Sequence, residues 1–246
     1  MQVEAELQRD LVFVGGGHAH ALALRMLAMD PVVGLRITLV SPASHTPYSG
    51  MLPGLVAGHY SFEQAHIDLA RLCQWAGVRF IETAVTALDP VSKTLELAGR
   101  PPLKYDVVSI DIGSQPELDS VPGARAHSVP VKPVADLWQR WRELEGRLRD
   151  QPGNAVHQVS VVGGGAGSVE LALGMAHRLA NRNIAFDLWC GAGEILQSYN
   201  SGARAAVMHA LADLEIAVHL DSRVAEVEDA AIVLADGSRH IYDDLF

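Results

Sequence analysis

The chain carries one short phrase twice. Leu11-Val-Phe-Val-Gly-Gly-Gly-His-Ala-His20 and Val159-Ser-Val-Val-Gly-Gly-Gly-Ala-Gly-Ser168 each join a β-branched or aromatic run to a triple glycine, then to an Ala- and Leu-rich stretch with helical spacing. Strand, tight turn and helix in that order put backbone N–H groups at a helix N-terminus, where a pyrophosphate is held. Two copies point to two dinucleotides in one protein, and two dinucleotides to electron transfer between them.

The 246 residues allow one large domain or two medium ones, and the apolar fraction of 49% is that of a globular protein. No apolar run approaches the ~18 residues of a membrane span, and the polar stretch from Met1 to Asp10 has no secretory character. The formal charge of −10, with 19 scattered Lys and Arg, argues against nucleic acid and against a polybasic membrane face. Cys73 and Cys190 form no Cys-x-x-Cys pair, so a redox dithiol is not expected and two buried free thiols in a reducing cytoplasm are.

The spacing predicts a strand at 11–15, a helix at 17–29 ended by Asp30-Pro31, and a strand over Leu35–Val40 whose continuous apolar character suits burial on both faces. An irregular stretch studded with Pro and Gly is expected from Ser41 to Ser61. A helix from Ser61 to Trp75 follows, with Ile67, Leu69, Leu72 and Trp75 as its apolar face. Then come a strand at Val78–Glu82, a hairpin or meander over 84–97, and a buried strand at Tyr105–Ile110. A charged amphipathic helix containing Trp138, Trp141, Leu144 and Leu148 is broken by Gln151-Pro152-Gly153-Asn154. The second unit repeats the plan: strand 157–162, helix 165–180, strand 184–190, helix 200–213, strand 216–220 and a meander over 222–242.

The expected fold class is α/β, with two Rossmann-like (FAD/NAD(P)-binding) three-layer units. The boundaries are 1–116 for the first, 117–153 for a connecting segment with a helix, and 154–246 for the second. The second is expected to be incomplete, because Asp243-Asp244-Leu245-Phe246 falls where the first unit begins a core strand. The chain therefore reads as a fragment of a longer protein.

Gly15 and Gly17 fill the first two glycine positions of G-x-G-x-x-G, and Gly163 and Gly165 repeat them. His20 and Ser168 stand at the third positions, and Ser41 stands where a ribose-binding acid is usual. Neither that place nor Trp189-Cys190-Gly191 offers a carboxylate. No arginine cluster awaits a 2′-phosphate, which leans to NADH over NADPH. His18 and His20, two apart at a helix start, point to different sides and do not make a metal site with His45, His59 and His66. No Lys-Ser or Lys-Thr follows either turn, which excludes a Walker loop.

Val14-Gly-Gly-Gly-His-Ala-His20, followed by Ser41-Pro-Ala-Ser-His-Thr-Pro-Tyr-Ser-Gly-Met-Leu-Pro-Gly-Leu-Val-Ala-Gly-His-Tyr60, resembles the flavoproteins often fused to selenide, water dikinase. These are similar to type II NADH dehydrogenases and sulfide:quinone reductases, within the pyridine nucleotide-disulfide oxidoreductase superfamily. The resemblance implies FAD in the first unit and NAD(P)H in the second. It puts Gly15 and Gly17 at the FAD pyrophosphate with His18 beside it, Ser41 and Pro42 at the adenosine ribose, and Val85 by the adenine. Thr46, Pro47 and Tyr48 would approach the isoalloxazine, and Gly113 would close the pocket. Gly163, Gly165 and Glu170 would serve the nicotinamide nucleotide.

The expected activity is passage of electrons from NAD(P)H through flavin to a quinone-like or other small-molecule acceptor. No catalytic acid or base is required, since the cofactors carry the chemistry. Two alternatives stand beside it: a nucleotide-binding sensor linked to selenium metabolism with little turnover, and a sulfide:quinone reductase-like enzyme. The expected setting is cytoplasmic, with no nucleic-acid partner and no transmembrane segment, and it leaves room for a homodimer.

Overall fold

Along the first strand Val12 and Val14 turn to one face of a parallel sheet and Phe13 to the other, the period-two alternation of extended chain. The computed structural model describes residues 9–150, 156–180 and 182–246. In chain order the elements are β1 (Arg9–Val14), α1 (His18–Met29), β2 (Leu35–Ser41), β3 (His45–Pro47), α2 (Leu52–Ala57), α3 (Phe62–Ala65), β4 (His66–Asp68), α4 (Leu69–Ala76), β5 (Arg79–Glu82), β6 (Val85–Asp89), β7 (Thr94–Leu97), β8 (Arg100–Lys104) and β9 (Val107–Ile110). They continue as α5 (Ala124–His127), α6 (Val134–Asp150), β10 (His157–Val162), α7 (Ala166–Leu179), β11 (Ile184–Trp189), α8 (Ser201–Asp213), β12 (Ile216–His219), β13 (Val224–Glu228), β14 (Ala231–Leu234), β15 (Arg239–Ile241) and β16 (Asp244–Leu245).

Contacts divide the chain into two units. The first holds residues up to Tyr48 together with Phe62–Ser114; the second holds Ser49–Ser61 and Gln115–Phe246. In the first, a parallel sheet of order β5-β2-β1-β9 is covered on one face by helices. Phe13 and Leu39 pack there against Leu24 of α1 and Leu69 and Cys73 of α4. The other face carries Val12, Val14 and Val40, closed by Leu95, Leu97 and Tyr105 of the antiparallel β6-β7-β8 meander and the chain following it. Layer for layer this is helix, parallel sheet, meander.

The second unit repeats it. Its parallel sheet has order β12-β11-β10-β16, and the β13-β14-β15 meander packs Val224, Val227, Ile232 and Leu234 against Trp189 and Leu245. Helix α6 buries Leu137, Trp141 and Leu144, one face at i, i+4, i+7 spacing. The expected break at 151–154 lies outside the described residues.

Three local expectations are corrected. The stretch 41–61 is not irregular: it contains β3, a 3₁₀ turn at Ser49–Met51, and α2. Pro53 sits in the first turn of α2, where its missing N–H costs nothing, and Gly58 caps the end at φ 82°, so both apparent breakers serve the helix. The expected helix at 61–75 is interrupted by β4. Asp68 ends that strand and starts α4 by accepting the Arg71 N–H at 2.9 Å, and Trp75 is 60% exposed, with Cys73 buried in its place. The strand ending at Ile110 is a sheet edge rather than a buried centre, with Val107 and Ile110 both exposed.

Candidate functional site

The two glycine turns have matching geometry. Gly15 N–H donates to the Val40 carbonyl at 2.8 Å and Gly163 N–H to the Trp189 carbonyl at 2.8 Å, each tying the end of the first strand of its sheet to the neighbouring second strand. Both glycines have positive φ, 92° and 130°, which L side chains rarely adopt. Gly17 and Gly165 are the extended N-caps of α1 and α7, and neither, being glycine, caps its helix with a side chain. Their carbonyls accept from Ala21 and Val169 at 3.0 and 3.1 Å, which opens each helix directly from the turn.

In the first unit Ser41, nearly fully buried, ends β2 with its hydroxyl against Gly16, while Pro42 is exposed beside it. β3 and β4 pair antiparallel and are closed by the Tyr48 N–H donating to Ala65 O at 2.8 Å, so Thr46, Pro47 and Tyr48 lie on a pinned ribbon. The His18 and Tyr48 rings meet at 4.5 Å, which brings the turn and that ribbon together. Val85 packs into the cluster of Val14 and Val40. Gly113, at φ 75°, has open space around it.

The third glycine position is filled by a working side chain. His20 is 3% exposed and stacked on Phe13 at 4.5 Å. Its Nδ1–H donates to the Gly15 carbonyl at 2.7 Å, because a carbonyl can only accept, and its Nε2 meets the Ser109 hydroxyl at 2.9 Å. His18 and His20 thus have different neighbours, as their spacing predicts. Among the described residues no group of three or more His, Cys, Asp or Glu is placed to hold a metal.

Asp111 belongs to no motif in the sequence, yet it meets the first turn at three points. Its N–H donates to Val14 O at 2.8 Å and its carbonyl accepts from Gly17 N–H at 3.2 Å. That carbonyl is also what a Cβ on Gly15 would strike. Its carboxylate lies flush on the Cα of Gly17 and accepts the His20 N–H at 3.3 Å. The turn's backbone fits a dinucleotide, and this side chain occupies the space that the missing Cβ of Gly17 leaves.

In the second unit two cavities flank the turn at the carboxyl ends of the strands, where open α/β sheets bind ligands. One, of about 300 Å³ and mainly apolar, is walled by Val131, Gly163, Trp189, Arg223, Val224 and Phe246. The other, of about 410 Å³, is lined by Gly164, Gly165, Cys190, Glu194, Ser198 and Tyr199. Gly165 leaves open space where a Cβ would stand, and Ser168 fills the space behind Gly163. This arrangement fits a nicotinamide dinucleotide across the turn. Glu170, exposed on the second turn of α7, lines neither cavity. Glu194 is the charged side chain of the second cavity and pairs with Arg204 at 3.3 Å.

Trp189 is fixed from several sides. Its indole N–H donates to the Ser160 hydroxyl at 3.2 Å and its ring stacks on His219 at 3.8 Å, whose Nε2 bonds Asp187 at 2.7 Å. The two cysteines are free and buried. Burial pushes the Cys73 thiol up to about 11, leaving it neutral and inert at neutral pH. No helix among the described residues is long and apolar enough to cross a membrane.

The family model described as pyridine nucleotide-disulphide oxidoreductase matches residues 9–246. A relative in Arabidopsis thaliana, an alternative NAD(P)H-ubiquinone oxidoreductase C1, is 26% identical over 232 residues, covering 88% of this chain and 44% of its own length. The structure of NDH2 from Plasmodium falciparum in complex with NADH superposes with a TM-score of 0.83 at 17% identity, covering 96% of this chain and 54% of that one. The sulfide:quinone oxidoreductase of Aquifex aeolicus gives 0.74 at 19%, covering 97% and 58%. The fold is therefore that of FAD/NAD-binding oxidoreductases, and the chain spans about half the length of these relatives.

Proposed function

This chain belongs to the pyridine nucleotide-disulphide oxidoreductase family, and from that premise we propose that it is a two-cofactor oxidoreductase carrying electrons from NAD(P)H through FAD to a quinone-like acceptor. The observation that carries the reading is the duplicated turn, with Gly15 bonded to Val40 and Gly163 to Trp189 at the same 2.8 Å. We assign FAD to residues 1–116, the connecting role to 117–153 and the nicotinamide nucleotide to 154–246, although residues 49–61 belong by their contacts to the second unit. When bound, FAD supplies a two-electron acceptor for hydride, which no side chain can provide.

The chain's own residues bind and orient. Gly15 and Gly163 make the tight turns, at φ 92° and 130°, and Gly17 and Gly165, each without a Cβ at the start of its helix, are the positions where a diphosphate would approach. Ser41 borders the ribose side of the first site and Val85 its apolar floor, with Gly113 free to close over it. Thr46, Pro47 and Tyr48, pinned by β4, form the wall assigned to the ring system, with His18 packed on Tyr48. Trp189 walls the apolar cavity, which suits the uncharged nicotinamide end, and Glu194 suits the ribose end. Two unpaired buried thiols support a reducing compartment and an acceptor other than a disulfide.

The test is quinone-dependent oxidation of NADH by the FAD-loaded protein. The proposal expects quinone to raise the rate of NADH loss several-fold over the rate without it. Nucleotide binding without turnover would favour a sensor, and flavin reduction by sulfide but not by NADH would favour the sulfide reductase reading.

A further inference from the structure

The first turn holds an anion of its own. The Asp111 carboxylate rests on Gly17, and a Cβ added to that glycine would overlap both of its oxygens. The absent side chain at this glycine is what lets backbone approach a pyrophosphate in such turns. The same carboxylate takes the His20 N–H, in the first turn of α1, at 3.3 Å. Helix α1 has no acidic residue in its first turn and no side-chain cap from Gly17. Asp111 supplies both from 91 residues away.

We propose that Asp111 is an internal plug in the dinucleotide turn of the first unit, which the diphosphate of a flavin nucleotide must displace, so that this side chain sets the affinity for that nucleotide. The inference rests on the assignment of FAD to the first unit. Its logic is electrostatic. A carboxylate on Gly17 and a diphosphate at the same helix N-terminus are like charges within a few ångströms. Near a protein surface that repulsion is worth a factor on the order of tenfold or more in affinity. Displacement needs no rebuilding of the turn, because the backbone bonds of Asp111 to Val14 and Gly17 do not involve the carboxylate. Rotation of one side chain uncovers the site.

The test is fluorescence titration of the nucleotide-free chain with FAD and with riboflavin, for the wild type and for Asp111→Asn, Asp111→Ala and Asp111→Glu. Asn and Ala are expected to tighten FAD binding about tenfold and to leave riboflavin unchanged, since riboflavin carries no phosphate. Glu, which keeps the charge, is expected to give no gain. Raising the salt should shrink the difference between wild type and Asn. Thermal unfolding checks that each variant folds, and either neutral variant suffices. FAD binding that is unchanged or weakened in a folded neutral variant overturns the plug and leaves the flavin assignment standing. Absence of FAD binding in all four proteins overturns both.

Discussion

The Cα of Gly174 on α7 faces the carbonyl of Pro53 on α2 so closely that a Cβ would lie 2.7 Å from that oxygen. Around this contact Leu55, Val56 and Ala57 are buried, and Arg178, one turn further along α7, lies against Gly58 while donating to Glu145 of α6 at 2.7 Å. The segment that continues from Tyr48 is thus clamped to the helix that opens from the second glycine turn. Gly174→Ala is expected to destabilise the protein by about 1–3 kcal/mol, the cost of forcing a methyl into a packed interface. Chemical denaturation measures it, and an unchanged midpoint would show that the two helices separate freely.

Glu194 brings a carboxylate to a cavity whose strand end lacks one. It sits beside Gly164 and Gly165 and is held by Arg204. A 2′-phosphate entering this cavity meets that charge, so the wild type should prefer NADH. Glu194→Gln is expected to lower the ratio of NADH to NADPH kcat/KM by about tenfold, mostly through KM. Equal ratios for both proteins would remove Glu194 from specificity.

His66 ties pH to the ribbon that carries Thr46, Pro47 and Tyr48. Burial lowers its pKa below 6.5, outweighing the Phe62 carbonyl bond and Glu63 that raise it, with His45 adding to the lowering. The ring is stacked on Phe62 at 3.7 Å. Between the folded and unfolded values the unfolded chain binds more protons. The stabilisation is therefore present above pH 6.5 and is lost as pH falls from there toward the folded value. The difference in unfolding free energy between wild type and His66→Gln should shrink as pH falls below 6.5 and stay constant above pH 7.5, and a pH-independent difference would contradict it.

Much of this architecture is legible in the sequence because the two turns are local: a strand, glycines and a helix announce themselves within ten residues. The meanders are legible too, from alternation around Asp89-Pro90. Helix α2 is not, since Pro53 and Gly58 act as breakers in an isolated reading and as a first-turn residue and a cap in the folded chain. The break between α3 and α4 depends on the three residues of β4 pairing with β3, a partner that periodicity cannot see. Asp111 was invisible for the same reason. Parallel pairing of β1 with β9 brings it to Gly15 and Gly17, and nothing in its neighbourhood in sequence marks that meeting. The glycine spacing locates both turns, but the charged groups beside them, Asp111 and Glu194, come from tertiary structure.

Electron passage from nicotinamide to flavin is tested most directly by anaerobic titration of the FAD-loaded protein with NADH, which needs no assumption about the acceptor. Stoichiometric loss of the flavin absorbance bands is expected, with recovery when a quinone is added. Flavin that remains oxidised in the presence of bound NADH would contradict it.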